Sequence, residues 1–150
     1  MIQIYVDADA CPVKNEVYKV ADRFKLNVTL VSNSWMRIPH EENIKLIVVS
    51  DGFDAADNWI AEQVAANDIV VTTDIPLASR CLEKNARVID PKGKLFSKDS
   101  IGEALASREL SAYLRDMGAI SGGPAPFSQQ DRSRFLQQLD IQIQSALRVK

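Results

Sequence analysis

The sequence is poor in the side chains that most often announce a chemistry. It has one histidine, His40, and two cysteines, Cys11 and Cys81. Zinc sites built from Cys and His need clustered ligands, and these three scattered residues cannot supply a set of four. Two cysteines far apart in the chain make no disulfide framework. No apolar run approaches the roughly 20 residues that span a bilayer. No basic leader precedes the apolar stretch Ile2-Gln3-Ile4-Tyr5-Val6, so a cytoplasmic protein is expected. Charge of one sign is also lacking. Lys and Arg total 18 against 20 Asp and Glu, a formal charge of -2, which excludes a broadly basic nucleic-acid binder and leaves room only for a local patch. What remains for chemistry is oxygen ligands together with Lys and Arg.

The composition is globular, with 46% hydrophobic and 25% charged residues in a chain of 150, the size of one ordinary domain. Short β-branched runs alternate with helical patterns over the first hundred residues. Strands are expected at Ile2–Val6, Val28–Ser32, Ile44–Ser50, Ile69–Thr73 and Arg87–Ile89. Ile47-Val48-Val49 and Ile69-Val70-Val71 are unbroken apolar runs, the pattern of central strands covered on both faces. Between the strands, Val13, Val17, Val20, Ala21 and Phe24 form a stripe of helical period, a second helix starts near Asp54 and buries Ile60 and Val64, and a third runs from Pro76 to about Lys84 with Leu77, Cys81 and Leu82 inward. This alternation predicts an α/β fold, a three-layer parallel sheet of about five strands.

Asn33–Asn43 reads as a loop over the sheet, with Trp35 packed on the core. Helical periodicity returns at Ile101–Met117. A stretch rich in glycine and proline follows, from Gly118 to Pro126, and cannot be the interior of a helix or strand. A last helix opens at Ser128, a good N-cap, and carries Phe135, Leu136, Leu139, Ile143 and Leu147. The organisation expected is a single domain, with residues 1–98 as the α/β core and residues 99–150 as a C-terminal helical extension packed on it.

The aspartates stand at strand ends: Asp7 and Asp9 after the first, Asp51 after the third, Asp74 after the fourth and Asp90 after the fifth. In an open parallel sheet these ends share one rim, where ligands bind at the switch in strand order. An aspartate in such a turn often does no more than cap a helix, which suits Asp54, and Asp90 suits a turn with Pro91. Asp7, Asp9 and Asp74 read differently. Pro12 and Pro76 are expected as first helical residues, making Cys11 and Ile75 the N-caps and leaving these three carboxylates upstream, aimed into the crevice. Carboxylates that converge repel unless a cation lies between them, and oxygen-only ligation points to Mg²⁺ or Mn²⁺. Asp57, early in the second helix, is placed to reach the same ion.

A metal held this way activates water and neutralises charge building on a phosphoryl group. Phosphate contacts are expected from Lys14, early in the first helix, and from Ser32, Thr73 and Arg132. Gly122 and Gly123 either let backbone N–H groups approach an anion or merely connect helices.

Four segments occur together and in order: Asp7-Ala8-Asp9-Ala10-Cys11-Pro12-Val13-Lys14, Ser50-Asp51-Gly52-Phe53-Asp54-Ala55-Ala56-Asp57, Thr72-Thr73-Asp74-Ile75-Pro76-Leu77-Ala78 and Gly122-Gly123-Pro124. In these the chain resembles the YaiI/YqxD family, bacterial proteins of uncharacterised function grouped with PIN-like nuclease domains, and the resemblance covers essentially the whole length. It implies a PIN-like parallel sheet, an acidic cluster holding Mg²⁺ or Mn²⁺, and cleavage of nucleic acid, RNA ahead of DNA. Asp7 with Asp9 would be the first-strand acids and Asp74 the later-strand acid. Asp57 would be the helical acid, with Asp51 and Asp54 as its alternatives, since PIN patterns often carry glutamate there. Two other readings compete. Asp7-x-Asp9 with Ser32 resembles the nucleophile, acid and hydroxyl of a haloacid dehalogenase-like phosphatase, and the same crevice could hold RNA or a nucleotide without turnover.

Overall fold

The computed structural model describes residues 2–9, 11–49, 55–103, 105–107 and 127–149. Its frame is a six-stranded sheet of β1 (Gln3–Asp7), β2 (Asn27–Ser32), β3 (Ile44–Val48), β4 (Ile69–Val71), β5 (Arg87–Ile89) and β6 (Leu95–Phe96), in the order β3-β2-β1-β4-β5-β6. Neighbours from β3 to β5 run parallel, and β6 is antiparallel to β5. Helices α1 (Lys14–Phe24), α2 (Ala55–Gln63), α3 (Ile75–Glu83) and α5 (Gln129–Val149) pack around it, with helical residues at 98–103 and 105–107 (α4). This is the α/β, three-layer, PIN-like architecture expected.

Strand alternation divides the core into two faces. Ile4, Val6, Val28, Leu30, Ile69, Val71 and Ile89 meet Val13, Val17 and Val20 of the α1 stripe and Phe135, Leu139, Ile143 and Ala146 of α5. Tyr5, Val31, Val70 and Val88 meet Ile60 and Val64 at α2 and Leu77, Cys81 and Leu82 of α3. Ser128 opens α5 with a reciprocal cap: its hydroxyl accepts from Asp131 N at 3.1 Å, and Asp131 Oδ2 accepts from Ser128 N at 2.9 Å. The capping box, usually closed by Glu or Gln, is closed here by an aspartate.

Four expectations are corrected. The sheet has six strands because Asp90 closes a tight turn, its Oδ1 accepting from Lys92 N and Lys94 N, both at 2.9 Å. Gly93 takes φ +88° in that turn and lies against α5, where a Cβ would stand 2.6 Å from the Arg134 carbonyl carbon. The chain thereby doubles back into the two-residue β6. β3 is an edge strand, not a central one: Val48 of its apolar run is 46% exposed, while Ile47 and Val49 pack partly buried against the core that α2 and α3 share. Trp35 does not pack on the core and is 75% exposed, because Met36 and Ile38 take the inward positions. Leu147 lies on the outer side of α5, exposed, next to the fully buried Ala146. Residues 108–117 of the helix expected at Ile101–Met117 and the Gly118–Pro126 stretch lie outside the described residues.

Candidate functional site

β1 runs up the middle of the sheet. The chain builds outward from it through β2 and β3, then crosses back to lay β4 on its other side. The switch in strand order therefore falls between β1 and β4, where an open α/β sheet leaves a crevice at the carboxyl ends of its strands. Asp7 is the last residue of β1, in register with Val31 of β2, and Val6 beside it faces Val71 at the end of β4. The next residue of β4's chain, Thr72, is buried and donates from Oγ1 to Asp7 Oδ2 at 2.9 Å. Burial raises the Asp7 pKa above the usual carboxylate range, and the charges of Asp74 and Asp9 push it the same way against the Thr72 bond. A half-buried acid with two like charges beside it is a position that a cation would relieve.

Asp74 corrects the capping argument. Ile75 and Pro76 open α3, and Asp74 is its N-cap, accepting from Leu77 N through Oδ1 at 2.9 Å. Proline needs no hydrogen-bond acceptor anywhere in a helix's first turn, so Pro76 fits the second helical position as well as the first. That one-residue shift makes Asp74 the capping residue instead of leaving it upstream. Its backbone N–H also donates to Thr72 Oγ1 at 3.0 Å. A single hydroxyl thus links Asp7 to Asp74. At α1 the start is later than expected: the cap is Val13, and Pro12 lies in the turn before it.

Asp9 faces the other way along the rim. Its Oδ1 accepts from Ser32 Oγ at 2.8 Å and its Oδ2 from Asn33 N at 2.9 Å. Both oxygens tie the end of β1 to the turn leaving β2. Ser32 is buried, and its hydroxyl, which also lies 2.8 Å from the Ser34 carbonyl, is committed to this turn.

Lys14 is the first residue of α1, half-exposed. It stands in the neighbourhood of Cys11, whose thiol feels both Lys14 and Asp7. Among the described residues no hydrogen bond or ion pair holds its ammonium. Thr73 is exposed between Thr72 and Asp74. Arg132 is engaged elsewhere: from α5 it donates to Glu16 Oε1 at 2.5 Å and to the Pro12 carbonyl at 3.1 Å, and lies over the Phe127 ring at 5.0 Å. Asp57 sits in the first turn of α2, close enough to α3 for its charge to add to the burial that raises the Cys81 thiol. Among the described residues no group of three or more His, Cys, Asp or Glu is arranged to hold a metal ion, so Asp7, Asp9, Asp57 and Asp74 do not close into one cluster. Asp51, Asp54, Gly122 and Gly123 lie outside the described residues.

Thr72 bonds the Asp7 carboxylate and the Asp74 backbone, and Asp74 lies near enough for its charge to act on Asp7. These two carboxylates are hard oxygen donors that would suit Mg²⁺, an ion that is often held by only one or two carboxylates. Thr72 is the residue that sequence reasoning missed. Its neighbour Thr73 was the expected contact, and only the register of β1 against β4 tells the two threonines apart.

A family model described as "Uncharacterized BCR, YaiI/YqxD family" matches residues 5–145. A UPF0178 protein of Paramagnetospirillum magneticum is 54% identical over 149 residues, covering 99% of each chain. One from Rhodospirillum centenum is 53% identical over 152 residues, again with 99% of each covered. One from Agrobacterium fabrum is 55% identical over 138 residues, covering 92% of this chain and 90% of its own. No solved structure gives a significant match.

Proposed function

The chain belongs to the YaiI/YqxD family, described as uncharacterised, and from that premise we propose that it hydrolyses phosphodiesters with the help of Mg²⁺ or Mn²⁺, RNA being preferred to DNA. The observation that carries this reading is the half-buried Asp7 at the β1/β4 switch, coupled through Thr72 to Asp74. The preference for RNA comes from the resemblance to PIN-like nucleases.

In this reading Asp7 and Asp74 hold the ion. Thr72 fixes the Asp7 rotamer, and the capping bond from Leu77 N fixes that of Asp74, so neither carboxylate needs to be ordered when the ion arrives. When bound, the ion supplies an activated water and neutralises charge developing on the phosphate. Lys14, unpaired among the described residues, takes a non-bridging phosphate oxygen. Thr73 offers a hydroxyl at the mouth of the crevice. Asp9 acts through its fixed charge and through the β2 turn. A haloacid dehalogenase-like phosphatase gains no support, because Ser32, its required hydroxyl, is committed to Asp9.

The test pairs calorimetric Mn²⁺ titration with cleavage of a mixed RNA pool, for wild type and Asp7→Asn. Wild type should bind Mn²⁺ and cleave. The variant should lose at least the roughly 10- to 100-fold that a metal site loses with a supporting partner. Mn²⁺ binding without cleavage of any RNA or DNA would overturn the catalytic reading, and absence of both would remove the metal as well.

A further inference from the structure

We propose that Arg132 is a positioning residue for phosphate binding: from α5 it holds the start of α1, and with it Lys14, beside the crevice. The inference rests on the phosphodiester reading of that crevice and adds how its lysine is kept in place. It begins with what the local sequence does not supply. Val13 caps α1 without a side-chain hydrogen bond, where Ser, Thr, Asp or Asn would close the first turn. The chain reaches Val13 through Cys11, whose N–H donates to the Ala8 carbonyl at 3.3 Å, a long bond.

The missing hold comes from α5. Arg132 Nη1 donates to the Pro12 carbonyl at 3.1 Å and to Glu16 Oε1 at 2.5 Å. One nitrogen thereby grips the α1 start on both sides, at the residue before the cap and at the third residue of the helix. Arg132 is itself fixed in its own element. Its N–H donates to the Ser128 carbonyl at 3.1 Å, beside the reciprocal cap that opens α5. Its guanidinium lies over the Phe127 ring at 5.0 Å, a cation–π contact that limits its rotamers.

Lys14, half-exposed, follows the gripped Pro12 by two residues. The Cys11 thiol feels Lys14, Asp7 and Glu16 together, so the lysine, the half-buried acid and the gripped glutamate surround one point. Pairing with Glu16 balances the arginine's charge and leaves Lys14 as the unpaired cation of this corner among the described residues. A lysine already gives up much rotamer freedom when it binds, and a loose backbone beneath it would add to what binding must order. With the helix start held, the ammonium needs only its own side-chain torsions to reach a phosphate oxygen.

A double-mutant cycle with a fluorescently labelled single-stranded RNA tests this. The readout is the KM of Mn²⁺-dependent cleavage, or the dissociation constant from anisotropy where the RNA is not cleaved. Lys14→Ala should weaken either by about tenfold or more, the scale of a lost charge-assisted bond. Arg132→Ala should lose a similar factor with kcat little changed, the signature of lost uniform binding. Arg132→Lys should recover most of it, because one ammonium can make both bonds that Nη1 makes. In the Lys14→Ala background, Arg132→Ala should lose no more than about twofold further, since residues that act through one another are not additive. Arg132→Met, which keeps the aliphatic packing, runs the same cycle should the alanine variant not fold. Arg23→Ala, which loosens the same α1–α5 joint at its exposed pair, should leave RNA affinity unchanged. Additive losses overturn the proposal, by showing that Arg132 meets phosphate directly or serves the fold alone, and so does an equal loss in Arg23→Ala. RNA bound but not cleaved, with the cycle coupled, removes the catalytic reading and keeps this one. Cleavage with additive losses does the reverse, and RNA neither cleaved nor bound removes both.

Discussion

At Asp7 burial and like charge act in one direction, and the consequence is measurable without any activity. Its folded-state pKa lies above the ordinary value, so it favours folding only while protonated, and that contribution is lost as pH rises through the folded pKa. At neutral pH the charged carboxylate is therefore a cost to the fold. Asp7→Asn should raise the melting temperature at pH 7 while abolishing metal-dependent cleavage, and the stability gain should vanish in acid. Asp74 supports the fold through a hydrogen bond, because its carboxylate closes α3. Asp74→Ala should cost about 1 kcal/mol in urea unfolding, as loss of an N-cap does, whereas Asp74→Asn should cost far less because asparagine caps equally well. Both should lose Mn²⁺ affinity. A stability loss of the same size in both variants would refute the capping role.

Between elements, the telling joint is the one that holds α5 on α1. It carries two ion pairs of different character. Arg132–Glu16, at 2.5 Å, has a glutamate side chain only 10% exposed, while Arg23–Asp140, at 2.9 Å, joins an arginine that is 61% exposed. Glu16 Oε2 is buried with no hydrogen-bond partner among the described residues, where Arg132 is the side chain that holds Glu16. Arg132→Ala should cost about 2 kcal/mol, the scale of a lost bond to a buried charge. Arg23→Ala should cost about 0–1 kcal/mol, as an exposed pair does. Denaturation midpoints of the two variants measure the difference directly. The sequence marked Arg132 for a phosphate because it is basic and follows the glycines. It could not show that Glu16, more than a hundred residues earlier, would be buried opposite it.

For the whole molecule, a divalent ion that binds only the folded chain must stabilise it. At Mn²⁺ about 100-fold above its dissociation constant, linkage predicts roughly 2.7 kcal/mol. Thermal unfolding should shift upward with Mn²⁺ and return on chelation, and Asp7→Asn should not respond. No helix among the described residues is long and apolar enough to cross a membrane.

The sequence by itself determined the fold class and most of its elements. Alternating periods of two and 3.6 residues are local properties: β5 is found at Arg87–Ile89 as read, and the α1 and α3 stripes bury the side chains they named, Phe24 only partly. It also determined that the acids of the rim would be aspartates at strand ends. Tertiary structure decided the rest. Strand order made β3 an edge, because an apolar run does not record what lies beside the strand. Register made Thr72 the link and left Thr73 exposed, because Thr72 follows Val71, which pairs with Val6, and so comes to stand beside Asp7. One residue of helix phase made Asp74 a cap. Those choices depend on contacts between distant parts of the chain, which no local pattern records.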